Sequence, residues 1–154
     1  MTETSDSDVA AEAAGVVRHW GGAQGLRLLR NRENAVFEAR LAAGRAALRL
    51  HRAGYQTLAA IRSELWWCEA LADAGVAVPR PLPDAGGNLV SATDRGRLAS
   101  MIAWVEGEAM PTPGSNLCAA AIGTLIYVPG GYTGAVAIPD LQVYDTVADA
   151  WSVV

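Results

Sequence analysis

The chain has 154 residues, 51% of them hydrophobic and 18% charged, with a formal net charge of -4. This is the composition of a soluble globule with enough apolar content for a core, and its mild acidity argues against a nucleic-acid partner, which a basic face would attract. The apolar run Leu117 to Val128 stops at Pro129-Gly130-Gly131, too short to cross a bilayer.

The polar, acidic start Met1 to Asp8 has neither the charged nor the apolar part of a secretory signal, so cytoplasm is the expected compartment. Residues 1–7 are expected to be disordered. Asp8 or a nearby serine then caps a helix running to about Trp20, with Val9, Glu12, Ala13, Val16 and Val17 on a mixed stripe, ended by Gly21-Gly22. Ala23 to Arg30 reads as a first strand. The turn Asn31-Arg32-Glu33-Asn34 joins it to a second, Ala35 to Arg40, and a third follows from Ala46 to His51, the start of a curled antiparallel sheet. On the third strand, alternation places Ala47, Arg49 and His51 on one face and Leu48 and Leu50 on the other.

A helix is expected from Thr57 to Ala74, burying Leu58, Ile61, Leu65, Cys68 and Ala72, with Glu64 at the edge of that stripe. Gly75 suits the residue past a helix end, and Pro79 and Pro81 prevent resumption. Leu82 to Ser91 holds a short strand around the turn signal Asp84 to Asn88, and Leu98 to Trp104 is a nearly continuous apolar run that reads as a buried strand. Cys68 and Cys118 stand alone, so neither a zinc site nor a disulfide framework is implied.

A strand cation facing a helix carboxylate is the arrangement by which kinases hold the α- and β-phosphates of ATP. Ala47-Leu48-Arg49 fits the strand pattern Ala-x-Lys with arginine in place of lysine; all 12 basic side chains are arginine and none lies beyond Arg97, so a phosphate-holding cation on the third strand must be Arg49. Taken singly, Arg49 and Glu64 read equally well as solvated charges, Glu69 is a rival partner for Arg49, and Asn31 to Asn34 reads equally well as a plain hairpin turn. No GxGxxG or GxxxxGK[ST] motif is present.

Five short runs in order, Glu33 to Phe37, Ala47 to Arg52, Arg62 to Leu65, Val78 to Pro81 and Trp104 to Glu108, resemble the N-terminal lobe of the aminoglycoside phosphotransferase family, which includes homoserine-kinase-like and choline-kinase-like enzymes. The resemblance covers about residues 8–110. It implies a small lobe holding ATP weakly, with magnesium arriving only with the nucleotide. Arg49 would hold phosphates, Glu64 would position it and Asn34 would lie in the phosphate-covering turn. Val36 and Ala47 would form the apolar ceiling over the purine, and Trp104 and Val105 would belong to a hinge at Ala103 to Glu106. It also implies a His-Gly-Asp-x-x-x-x-Asn stretch and a magnesium aspartate in a second lobe, and those have no counterpart here. The only histidines are His19 and His51, and no asparagine follows Asn116.

Composition changes at Pro111-Thr112-Pro113-Gly114, so 111–116 is expected to be a linker. Beyond it, short strands are expected at Ala119 to Ile122, Leu125 to Val128, Leu141 to Tyr144 and Trp151 to Val154. Ile126 to Tyr132, Leu141 to Asp145 and Asp149 to Trp151 resemble one kelch repeat, a four-stranded propeller blade over 117–154. Asp145 and Asp149 lack a third ligand and read as turn acids. The fold class expected is α+β: a kinase-like lobe with a curled sheet, an N-terminal helix and a second helix, followed by a short all-β segment. Three functions compete: an ATP-binding lobe lacking catalytic and magnesium-binding residues, a protein-interaction module in which a partner protein covers the open face of the lobe or the single blade, and a fusion of two fragments without a selected function.

Overall fold

The computed structural model describes residues 5–107 and 110–154. Glu108, the last residue of the fifth matched run, lies outside the described residues. The chain divides into two compact units, the first ending at Val105 and the second starting at Glu106.

Unit 1 opens with helix α1, Asp6–Val16, whose first turn is capped by Ser5: its Oγ accepts from the Asp8 amide at 3.2 Å. The helix thus starts inside the segment expected to be disordered, with the first four residues outside the described ones. A 3-10 turn, Val17–Trp20, ends at left-handed Gly21. Three antiparallel strands follow, β1 (Gly25–Asn31), β2 (Ala35–Leu41) and β3 (Gly44–Leu50), then helix α2 (Leu58–Asp73), capped by Thr57, and the hairpin strands β4 (Val90–Ala92) and β5 (Leu98–Ala103). Gly75 follows α2 at φ 85°, where a side chain would be strained.

The sheet order is β1-β2-β3-β5-β4. Alternation along β5 explains the layering. Ala99 and Met101 join Val9, Ala13 and Val16 of α1 and Val17 of the 3-10 turn in one core with Phe37, Leu48 and Leu50, while Leu98 and Ile102 join Ile61 and Leu65 of α2 in another. One helix therefore covers each face. The expected curl is not found: among the described residues β1 pairs only with β2 and β4 only with β5, so this sheet is open. Covering both faces with helices buries them without closure, which removes the physical need for a curled sheet. The buried stripe on α2 is also narrower than its periodicity suggests. Ile61 and Leu65 are buried, Cys68 and Ala72 only partly so, and Leu58 is 38% exposed, because the helix rests on the three-residue β4 and one end of β5.

Unit 2 is a four-stranded antiparallel meander of β6 (Ala120–Ile122), β7 (Leu125–Pro129), β8 (Leu141–Asp145) and β9 (Ala150–Val153), close to the four strands expected. It too is open, with β6 and β9 at its edges, so no sheet among the described residues closes into a barrel or propeller. The stretch expected as a linker is tied in. Thr112 gives its amide to Gln142 Oε1 at 2.7 Å and takes Nε2 on its carbonyl at 3.0 Å, and Ser115 exchanges backbone hydrogen bonds with Tyr132. Gly131, at φ 110°, lies so close to Leu117 that a Cβ would stand 2.3 Å from its Cδ2. Asp145 accepts from the Val147 and Ala148 amides and Asp149 from the Tyr144 hydroxyl, which makes both turn acids. No helix among the described residues is long and apolar enough to cross a membrane.

A buried polar tie fixes the end of β3. Arg97, 13% exposed in its side chain, donates to the His51 and Leu50 carbonyls at 2.6 and 3.0 Å and lies 3.7 Å from Glu12, which is 5% exposed and also accepts from Thr93 at 2.6 Å. Arg97→Ala would leave Glu12 buried without its counter-charge and two carbonyls short of a donor. The expected loss is about 3 kcal/mol of unfolding free energy, read by urea denaturation through the helix circular dichroism signal, which arises from unit 1; a loss within experimental error would show that the network carries no net stability.

Candidate functional site

β3 is the strand from which the site is built. Its even-numbered residues Ala46, Leu48 and Leu50 are fully buried against α1, so Ala47 and Arg49 must face α2. Across the sheet Arg49 lies opposite Val36 on β2 and Ser100 on β5, and Ala47 opposite Glu38 and Ile102. Cross-strand partners share a face, so Val36, Ala47 and Arg49 form one surface. Glu64, one turn past the buried Ile61 on α2, reaches it from above: Arg49 Nη1 donates to Glu64 Oε1 at 2.7 Å. Of the two carboxylates that sequence left open, Glu64 and not Glu69 makes this contact. The side chains are 32% and 41% exposed, so the guanidinium is oriented yet still open to a ligand.

Asn34 lies at the start of β2, and its Oδ1 accepts from the Arg52 amide at 3.0 Å, which ties the β1–β2 turn to the chain leaving β3. Trp104 follows β5 and sits at the other end of β3, its ring under the Arg45 guanidinium at 4.2 Å and its amide facing the Arg45 carbonyl at 3.4 Å. Val105 is 62% exposed. The structure thus brings Val36, Ala47, Arg49 and Glu64 together, places Asn34 by the turn, and sets Trp104 and Val105 beyond the opposite end of the strand.

Two further polar groups lie on this face, Glu38, which the sequence alone does not single out, and His51, which alternation places there. Glu38, 2% exposed, takes Arg27 Nε at 2.9 Å, Arg45 Nε at 3.1 Å and Arg40 Nε at 3.5 Å. The hydrogen bond from Arg27 leads the effects that hold its carboxyl below the usual carboxylate range. Arg27, Glu38 and Arg40 also line a shallow depression of about 170 Å³ with Gln24, Gly25 and Leu26. The signal was in the sequence: once Arg40 pairs with Arg45, register puts Glu38 on the Val36 face among guanidiniums. His51 is the second. It is 2% exposed and its Nε2 lies 2.9 Å from Ser100 Oγ, while Nδ1 has no hydrogen-bond partner. Among the described residues, no group of three or more His, Cys, Asp or Glu side chains is placed to hold a metal ion.

The model of the phosphotransferase enzyme family matches residues 24–126, more than half of the chain. The chain belongs to that family. A kelch motif matches residues 113–154, so this is a phosphotransferase-family domain fused to a kelch motif. The two matches overlap at 113–126, where β6 and the start of β7 pair within the second sheet. Among solved structures, a microcompartment-associated aminopropanol kinase is similar at 30% identity and a TM-score of 0.55 over 71% of this chain. The match takes in 34% of that kinase, so the phosphotransferase-family chain described here spans about a third of its length. No curated protein matches the chain.

Burial, followed by repulsion from Arg49, lowers the His51 pKa to about 4. The unfolded chain, with an ordinary histidine near 6.5, therefore binds the proton first, so this residue's contribution to stability is complete above about pH 6.5 and is lost as pH falls toward 4. The loss is expected to reach about 3 kcal/mol. In denaturation curves between pH 7 and 4, His51→Gln should flatten this slope; an unchanged slope would assign it to other groups.

Proposed function

We propose that unit 1 is the nucleotide-holding lobe of a small-molecule phosphotransferase and that this chain binds ATP without transferring its phosphate. The observation that carries the proposal is the 2.7 Å contact between Arg49 and Glu64 on the α2 side of the sheet. A guanidinium oriented by one carboxylate through Nη1 keeps further donors for phosphate oxygens, and its charge persists at any physiological pH. In this reading Arg49 takes the α- and β-phosphates and Glu64 fixes its direction. Val36 and Ala47 lie against the purine, Asn34 steadies the turn over the phosphates, and the backbone at Trp104 and Val105 meets the purine edge. Magnesium would come bound to the nucleotide and neutralise phosphate charge.

Transfer needs an acid to orient the acceptor hydroxyl and ligands to fix magnesium. His19 is followed by Trp20 and His51 by Arg52, so neither opens a His-Gly-Asp stretch, and the buried His51 beneath the pair has its ring nitrogen on Ser100. The family relationship and the aminopropanol kinase likeness support a phosphotransferase origin for the fold, and they leave the acceptor of this chain open to any small hydroxyl compound.

The test is calorimetric titration of the full chain with MgATP and with adenosine. Arg49→Ala is expected to weaken ATP about 10- to 100-fold, the worth of charge-assisted hydrogen bonds, while changing adenosine little, and Glu64→Gln should weaken ATP less. Equal ATP affinity in wild type and Arg49→Ala would remove Arg49 from the site, and phosphate transfer to a small alcohol by the purified chain would refute the claim that it only binds.

A further inference from the structure

A surface helix normally turns its apolar residues to the core and its polar ones to water. α2 departs from that division. Ile61 and Leu65 point into the sheet, but about 100° of rotation per residue carries Ala59, Ser63, Trp66, Trp67 and Ala70 round to the opposite side. Trp66 and Trp67 are 62% and 58% exposed, with ring centroids 6.4 Å apart. Each tryptophan is among the largest apolar surfaces a chain can offer, and two together on a helix exterior are the composition of an interface centre.

The charges on this side sit at one margin. Arg62 and Glu69 share an azimuth two helical turns apart, about 10 Å along the axis, too far to reach each other. Neither forms an ion pair within the chain among the described residues.

We propose that the outer face of α2 is the two-fold interface of a homodimer, in which a second copy of this chain lays its own α2 antiparallel across the first. A two-fold axis through the middle of Leu58–Asp73 reverses the helix direction but keeps its margins on the same side. Arg62 of each copy then falls level with Glu69 of the other, so both unpaired charges are satisfied twice over. The same operation brings the two Trp66 rings together at the centre and sets each Trp67 beside the small Ser63 of the other copy. Parallel packing about a two-fold along the helix axis would put the two margins on opposite sides of the contact and leave Arg62 and Glu69 without partners across it, so charge selects the antiparallel arrangement. The helix is 16 residues long, roughly 24 Å, which makes a contact at the small end of specific interfaces and an affinity on the order of micromolar.

Sedimentation equilibrium of the full chain over a wide concentration range tests this. A monomer–dimer equilibrium is expected. Trp66→Ser with Trp67→Ser should weaken it roughly 30-fold or more with the helix circular dichroism signal retained, since both rings are exposed. Arg62→Glu and Glu69→Arg should each weaken it about two- to fivefold, and the two combined should restore it. A chain that stays monomeric at hundreds of micromolar, a dimer that survives loss of both tryptophans, or charge reversals whose losses add instead of cancelling would each overturn the proposal.

Discussion

One ion pair, Arg49 on β3 with Glu64 on α2, joins the two elements that define the face of unit 1, and both of its members are where they are because of apolar residues beside them. Leu48 and Leu50 are fully buried against α1, which leaves Arg49 no choice of side. Ile61 and Leu65 anchor α2 to β4 and β5, which brings Glu64 over the strand. The polar contact is therefore a consequence of two hydrophobic commitments. The exposed pair contributes little to stability by itself, and its value lies in pointing a planar donor group in one direction.

A chain without lysine meets every need for a cation with a guanidinium, and unit 1 shows three uses of it. Arg97 is a buried clamp on two carbonyls and Glu12, Arg49 is an oriented and open donor, and Arg27, Arg40 and Arg45 surround one carboxylate. Arg45 also stacks on Trp104. Planarity and several donors in one plane allow each of these, where an ammonium would act as a point charge. The Glu38 cluster lies one position along this face from Arg49 and the Arg45–Trp104 stack beyond it; Val36 stands opposite Arg49 and Ala47 opposite Glu38, so charged and apolar residues alternate diagonally across the face.

Most of this was legible in the sequence because it follows from alternation. Strand β3 and its two faces, the helix with Thr57 at its start and Gly75 after its end, and the meeting of Arg49 with a helix carboxylate all come from periods of two and 3.6. What periodicity could not supply is what lies across a sheet. Whether a sheet curls depends on what its edge strands meet, and here, among the described residues, β1 and β4 each pair with one strand while helices cover both faces. Glu38 looked like an ordinary strand residue until register set it opposite Ala47 and beside Arg27. Arg97 and Glu12 are 85 positions apart in sequence, a separation over which no local pattern carries information. Alternation puts His51 on the Arg49 face, and register adds what it meets there: Ser100, the cross-strand partner of Arg49.

The two units hold themselves together by different means, and this bears on where the nucleotide reading stands. Unit 1 has two helix-covered cores. In unit 2 the buried apolar residues are Val128, Ile138 and Val143, the buried Gln142 secures Thr112, and Tyr144 stacks on Trp151 at 5.1 Å, while Ile122, Val136, Val147 and Val154 stay more than 60% exposed. A unit this short buries a small fraction of its surface, so its own core supplies little stability. Glycines packed as closely as Gly131 against Leu117 fix its shape without adding to that core. Each member of the Arg49–Glu64 face, from Asn34 to Val105, belongs to unit 1. Loosening of the kelch-motif segment therefore removes none of the contacts that orient Arg49, and the direction of that guanidinium is a property of the first unit's packing alone.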